Sequence, residues 1–396
     1  VVANRRVRRP HGRKVRGPGG VEAFVPAPLP PPLEWSAELA AQLSEADRAI
    51  GRLAGEGRRF PNPHQFIRPF VRREAVLSSR IEGTQATLGE LLAAEAGAVV
   101  DRSPADLREV GNYVTALEHG VRRMKQLPLS LRLVRELHER LMRGVRGDTA
   151  TPGEFRRSQN WIGAPGSTPE KATYVPPPPD QLMDCLGAWE RYLHDTALPP
   201  LVHAALIHSQ FEAIHPFLDG NGRVGRLMIT LMLLDRKLLP APLLYLSAYF
   251  DMTRDQYYAR LQGVTERGEW EAWVSYFLAG VLSQATDALS RIELIDTLAT
   301  EWRERVAATA SRATEGVLAE LMKNPFVRVK ALAEQLEVAF TTAQRAVDRL
   351  VDAGVLTLAS EAKRDRVYCA RELLVILEKE AGPGKAATRR EKRTRS

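Results

Sequence analysis

His215-Pro-Phe-Leu-Asp-Gly-Asn-Gly-Arg-Val-Gly-Arg226 decides how the rest of this chain is arranged. By its chemistry it is an anion site. Gly220, Gly222 and Gly225 bracket the start of an apolar run, Leu227-Met-Ile-Thr-Leu-Met-Leu-Leu234. Glycines before a helix let backbone N–H groups turn toward one point, and the helix N-terminus adds partial positive charge there. Arg223 and Arg226 are three apart, hence on one face of the first turn. Two arginines at a helix start oppose the macrodipole, which makes sense when a polyanion sits between them. Asp219 is a hard oxygen ligand suited to Mg²⁺ beside phosphates. His215 is the group here that exchanges a proton near pH 7.

With every defining position filled, the stretch resembles the signature of the Fic family, His-x-Phe-x-Asp/Glu-Gly-Asn-Gly-Arg-x-x-Arg. The resemblance covers most of residues 60–290. It implies a mainly α fold, a Fic-type helical bundle with a small β-hairpin flap. It also implies transfer of AMP from ATP to a Ser, Thr or Tyr hydroxyl of a target protein, with release of pyrophosphate. In that reaction His215 would accept the hydroxyl proton, and Mg²⁺ on Asp219 would bridge the α- and β-phosphates. Backbone groups at Gly220–Gly222, with Asn221, would hold the transition-state oxygens. Arg223 would hold the β-phosphate and Arg226 the γ-phosphate, with Val224 and Gly225 completing the ATP-binding turn. Ser247 to Tyr258 resembles the family segment beside the nucleotide base. There Tyr257 and Tyr258 would stack on adenine, although an aromatic pair on a helix serves a core equally well.

Two further stretches carry the resemblance. Ser78-Ser-Arg-Ile-Glu-Gly83 resembles the inhibitory motif Ser/Thr-x-x-x-Glu-Gly/Asn, which implies that Glu82 pairs with Arg226. The arginine needed by the γ-phosphate is then occupied, and the carboxylate repels incoming phosphate. In some relatives such a glutamate also supports the reverse hydrolysis of AMP-protein, and that stays open here. The plainer alternative is a solvated Glu82 at a helix end with Gly83 just beyond it. Residues 153–178 break the helical pattern into two extended pieces around a Gly/Pro/Ser turn. Gln159-Asn-Trp-Ile-Gly163 resembles the family flap, so Asn160, Trp161, Ile162 and Gly163 would offer an edge to which a target segment adds as a strand. The alternative is a structural hairpin with Trp161 buried.

The chain has 396 residues, 44% of them hydrophobic, which is material for two or three domains. The order expected is a basic disordered tail over 1–20, then an N-terminal helical region with the inhibitory helix over 21–110. A Fic core over 111–285, a linker helix over 286–310, a winged helix-turn-helix over 311–378 and a second basic disordered tail over 379–396 follow. The net charge of +8 resides in those tails, leaving the body mildly acidic. Within the body, Ser36 caps a helix that Gly55-Glu-Gly57 ends, and Leu127-Pro128-Leu-Ser130 separates two helices. In the last domain Thr341 caps a second helix stopped by Gly354. If that domain binds DNA, Thr342, Gln344, Arg345 and Arg349 would face a groove, with Lys363 and Arg364 on the wing. Asp348 and Asp352 on the same helix weigh against it. Cys185 and Cys369 form no disulfide framework, and no apolar run reaches membrane-spanning length, so a cytoplasmic protein with no membrane partner is expected. Two other functions stay in view: a nucleotide-sensing DNA-binding regulator, and transfer of a different phosphate-containing group. The family resemblance allows a homodimer and self-modification as well.

Overall fold

The computed structural model describes residues 11–59, 63–145, 151–164, 166–359 and 365–380. The outer parts of both basic tails, and Lys363 and Arg364, lie outside the described residues. In chain order the elements open with β1 (Gly12–Arg16), β2 (Glu22–Pro26), α1 (Ala37–Arg59), α2 (Pro63–Ile81) and α3 (Leu88–Glu95). Then come α4 (Pro104–Arg123), α5 (Leu131–Leu141), α6 (Pro179–Leu193), α7 (Pro200–Ile214), α8 (Asn221–Asp235), α9 (Ser247–Met252), α10 (Arg254–Arg267) and α11 (Trp270–Val306). The chain closes with α12 (Arg312–Leu321), β3 (Phe326–Arg328), α13 (Val329–Gln335), α14 (Phe340–Asp352), β4 (Thr357–Leu358), β5 (Val367–Cys369) and α15 (Arg371–Glu378). The protein is mainly α, as expected. Among the described residues no helix is long and apolar enough to cross a membrane.

The chain divides into two compact units. One comprises residues 1–51, 112–239 and 249–282. Its centre is α7, of whose fifteen residues thirteen are buried. A helix buried on every side has no solvent face to offer and belongs in a core. α8 is buried nearly as completely, and the two pack side by side. Trp189 and Trp273, both fully buried, donate their indole N–H to the α7 carbonyls of Ile207 and Ala205 at 3.1 and 2.8 Å. Ser130 Oγ accepts the Leu133 N–H and caps α5.

The N-terminal end of this unit corrects the expected disordered tail. Residues 12–16 form β1, antiparallel to β2 in the register Gly12↔Pro26 and Arg16↔Glu22. Ala23, Phe24 and Val25 bury β2 against the unit, and the basic strand is ordered by pairing with it. Composition alone points to disorder because β1 supplies backbone rather than apolar side chains. The Phe24 N–H also donates to Val175 O at 2.9 Å, joining the hairpin to the segment after residue 172.

The second unit comprises residues 52–111, 240–248 and 283–396. It takes in the end of α1, which runs past the stop expected at Gly55-Glu-Gly57. Ser36 Oγ caps that helix as expected, at 3.1 Å from Leu39 N, but the helix continues through Gly55 and Gly57 to Arg59. A Cβ on Gly57 would stand 2.4 Å from Leu243 Cδ1, so this glycine serves a close approach and not a helix end. The expected linker helix over 286–310 is likewise not separate, since α11 runs unbroken to Val306.

The winged helix-turn-helix packs α12, α13 and α14 with a three-stranded antiparallel sheet of order β3-β5-β4. α14 turns Ala343, Ala346, Val347 and Leu350 inward, at helical spacing. It opens at Phe340 with Ala339 as the cap residue, two residues earlier than a Thr341 cap would have it. The N-terminal helical region expected over 21–110 is therefore not one body: residues up to 51 go with the Fic-like core and 52–111 with the winged helix.

Candidate active site

α7 delivers His215 at its C-terminus in the left-handed conformation, φ 50 and ψ 61. That turn ends the helix and lifts the side chain out of the buried row. His215 Nδ1 lies 3.3 Å from Glu212 O, a carbonyl that can only accept. Nδ1 therefore carries a proton, and in the neutral ring the lone pair is on Nε2. The loop that follows is tied by Asn221. Its Oδ1 accepts the Phe217 N–H at 2.8 Å and its Nδ2 donates to Phe217 O at 2.9 Å. Both ends of the Asn221 amide thus shape the turn.

Gly220 opens α8 with φ 77, and a Cβ there would stand 2.8 Å from Met142 Sδ. Both facts demand glycine. Gly222 is half-buried, while Val224, Gly225, Arg223 and Arg226 are buried in α8's first two turns. Arg223, 2% exposed, lies 3.5 Å from Asp219 Oδ1. The same oxygen accepts the Gly220 N–H at 2.6 Å. Asp219 itself is half exposed, with a hard carboxylate at the rim of the loop. Among the described residues no group of three or more His, Cys, Asp or Glu is arranged to hold a metal ion. A single rim carboxylate fits Mg²⁺, which takes its other ligands from phosphates and water.

Three side chains that the sequence did not single out lock this loop. Arg156 is buried and gives its donors to backbone carbonyls. Nε bonds His215 O at 2.9 Å, Nη2 bonds Pro177 O at 2.6 Å and Ile214 O at 3.4 Å, and Nη1 bonds Ser158 O at 3.2 Å. Burial pushes the guanidinium down to about 10, so it stays charged at neutral pH. Tyr174 donates its hydroxyl to Ala213 O at 2.6 Å. The carbonyls at the end of α7, which have no helical partner of their own, are thereby satisfied. His138 is the third. The Gly153 N–H donates to its Nδ1 at 2.9 Å, so Nε2 carries the proton given to Asp219 O at 3.0 Å. Burial, with help from Arg223, pushes His138 down to about 4 and keeps it neutral. Its ring stacks on Phe217 at 3.7 Å.

The expected flap is present as a bridge between Ile162 and Tyr174. Asn160 does not face outward. Its Nδ2 bonds Phe217 O at 2.8 Å and bolts the flap to the signature loop. Trp161 and Ile162 are 39% and 37% exposed, so the buried-tryptophan alternative does not hold, and Gly163 is exposed beside them. The tyrosines part company. Tyr257 is 1% exposed, with its hydroxyl 2.8 Å from His208 Nε2 and its ring stacked on Phe250, whereas Tyr258 is 42% exposed.

Ser78, Glu82 and Gly83 belong to the second unit. Ser78 is fully buried in α2, and Glu82 and Gly83 are exposed just past its end, Gly83 with φ 97. The Gly83 N–H bonds Arg80 O and the Thr84 N–H bonds Ser79 O, a helix stop of the kind Gly83 led us to expect.

Three family models match the chain. Residues 40–122 match the Fic/DOC family N-terminal model, 128–233 the Fic/DOC family model and 312–357 a winged helix-turn-helix DNA-binding model. Over 114 residues the chain is 36% identical to the protein adenylyltransferase Fic of Drosophila virilis, and 34% identical to that of Drosophila melanogaster. The match takes in 28% of this chain and 21% of either Drosophila protein. A crystal structure of a Fic family protein from Desulfovibrio desulfuricans superposes with a TM-score of 0.58 at 21% identity, over 86% of this chain and 98% of that one. The likeness shows the fold.

Proposed function

This chain is built from a Fic/DOC-family N-terminal region, a Fic/DOC-family domain and a winged helix-turn-helix, and we propose that it is a protein adenylyltransferase restrained by Glu82. The observation that carries this reading is the arrangement of His215, with Nε2 kept as an acceptor, before a glycine-opened helix with two arginines in its first turns. The names of the Drosophila relatives support the same activity.

The hydroxyl of a target Ser, Thr or Tyr gives its proton to His215 Nε2 as its oxygen bonds to the α-phosphorus of ATP. The α–β phosphoanhydride bond breaks, and pyrophosphate leaves with the electron pair. The N–H groups at the start of α8 face the phosphate oxygens as charge gathers on them. Arg223 and Arg226 neutralise the β- and γ-phosphates. Asp219 would hold Mg²⁺, which offsets charge on the departing pyrophosphate. The exposed edge at Trp161–Gly163 takes the target segment as an added strand, which brings a hydroxyl to His215 with little demand on sequence. Tyr258 is the better placed of the two tyrosines to cover a base. Glu82 restrains the reaction by occupying Arg226 in place of the γ-phosphate.

Mass spectrometry of purified Glu82→Gly protein incubated with Mg-ATP tests this, beside the Glu82→Gly/His215→Ala double variant. Self-modification by one AMP mass, absent from the double variant, is expected. A phosphate mass instead would replace the reading with phosphotransfer. A second function, DNA binding, is favoured by the match of residues 312–357 and by Thr341, Thr342 and Arg345 exposed on α14. Retention of its own promoter fragment that weakens steeply with salt would support it.

A further inference from the structure

Glu82 lies on a short link between two helices. α2 ends in the backbone bonds from Glu82 N and Thr84 N to Ser79 O, at 3.1 Å each. α3 begins in a capping box, where Thr87 Oγ1 accepts the Glu90 N–H and Glu90 accepts the Thr87 N–H. Arg102 holds that same Glu90 at 2.8 Å. Thr84 and Ala86 are buried between the two helices. The place of Glu82 is therefore fixed by the end of α2 and the beginning of α3.

The winged-helix part of the same unit grips α3 along its length. Glu378, at the end of α15, accepts the Gly89 N–H at 2.9 Å. A carboxylate there meets an orphan first-turn amide and the positive end of the helix. α15 comes so near that a Cβ on Gly89 would stand 2.9 Å from Glu378 Oε1 and 3.8 Å from Leu374 Cδ2. Toward the other end, Asn324 Nδ2 donates to Leu92 O at 3.0 Å, and the Arg328 guanidinium covers Gly97. α15 is itself held. Arg291 of α11 donates to the carbonyls of Ile376, Leu377 and Lys379. Asp287 fixes Arg291 at 2.7 Å and faces Arg73 of α2 at 3.7 Å. The winged-helix part thus reaches α3 directly and α2 through Arg291 and Asp287 of α11.

We propose that the winged helix-turn-helix governs the restraint: while α15 grips α3, Glu82 is held in its restraining place, and release of α15 raises transfer. This rests on the reading of Glu82 given above. Each grip is a hydrogen bond with small net worth, equivalent to about a fivefold shift between held and released populations. A ligand that prefers the winged helix with α15 released would therefore act as an activator.

The test compares wild type, Glu82→Gly, Glu378→Ala and the Glu82→Gly/Glu378→Ala double variant, each as full chain with Mg-ATP. AMP incorporation is read by mass spectrometry. Glu378 is exposed, so its truncation leaves the fold intact, which a melting curve verifies. Incorporation should rise about threefold to fivefold in Glu378→Ala, from the loss of one such bond. The double variant should match Glu82→Gly alone, because both changes act through one carboxylate. Glu378→Gln keeps an acceptor and should behave as wild type. Hydrogen exchange gives a readout independent of transfer: residues 79–95 should exchange faster in Glu378→Ala, with α7 and α8 unchanged. If Glu82→Gly raises incorporation while Glu378→Ala and Asn324→Ala change neither readout, the winged helix does not govern the restraint. A gain from Glu378→Ala that adds to that of Glu82→Gly overturns the route through Glu82. No effect of Glu82→Gly itself removes the restraint, and this proposal with it.

Discussion

Arg156 shows how much of a site hides from local pattern. Arg156→Met removes the guanidinium donors to His215 O, Ile214 O and Pro177 O, leaving Tyr174 to hold Ala213 O alone. The expected cost is about 2–4 kcal/mol of stability by denaturant titration, with a fall in transfer kcat larger than any rise in KM for ATP. Arg156→Lys, which can reach one carbonyl at a time, should recover part of the stability and little of the rate. The signature itself was legible because its chemistry is contiguous: His215, Asp219, Arg223 and Arg226 lie within twelve residues. Arg156, Tyr174 and His138 were not, since the carbonyls of His215, Ala213 and Asp219 that they hold lie 59, 39 and 81 positions away and a carbonyl leaves no mark on a sequence. His138 and His208 also set a pH dependence. Burial lowers them to about 4 and about 3, below the unfolded value of about 6.5. Between those limits the unfolded chain binds protons that the folded chain does not, so stability is full above about pH 6.5 and falls as pH drops toward the folded values. The Tm should decline from pH 7 to pH 5, and His138→Gln should decline less.

Among the elements, those with a chemical punctuation mark at their ends were read well. Ser36 and Ser130, at the starts of α1 and α5, give their side-chain oxygens to first-turn amides. Gly57 misled because a glycine that admits Leu243 looks the same as one that ends a helix. Gly57→Val should therefore destabilise by about 1–3 kcal/mol through overpacking, although valine in place of glycine ordinarily favours a helix. If denaturant midpoints show a gain instead, α1 does not need that approach. Gly55, with nothing within 4 Å of an added Cβ, is the internal control, and Gly55→Ala should stabilise by up to about 1 kcal/mol. β1 was missed for a different reason. Its order comes from pairing with β2, and pairing is a property of two segments.

At the scale of the whole molecule, the division into units was the least legible feature. Nothing in residues 52–111 announces that they pack with residues 283–396, because the bonds between them, such as Glu378 to Gly89 and Asn324 to Leu92, span 289 and 232 positions. Stability should be uneven across the chain. The amides of α7, buried on all sides, should exchange slowest, and those of α3, held by an exposed carboxylate at one end, distinctly faster. Equal protection of both helices would contradict it. The long-range grip on α3 also bears on synthesis. Chains emerge from the ribosome N-terminus first and fold by compact units. The unit with His215 has its last residue by 282, whereas the one with Glu82 lacks α15 until residue 378 has been made. On each nascent molecule the chemistry of the loop can therefore assemble before the platform beneath Glu82 is finished, and a chain broken off early would keep the former without the latter.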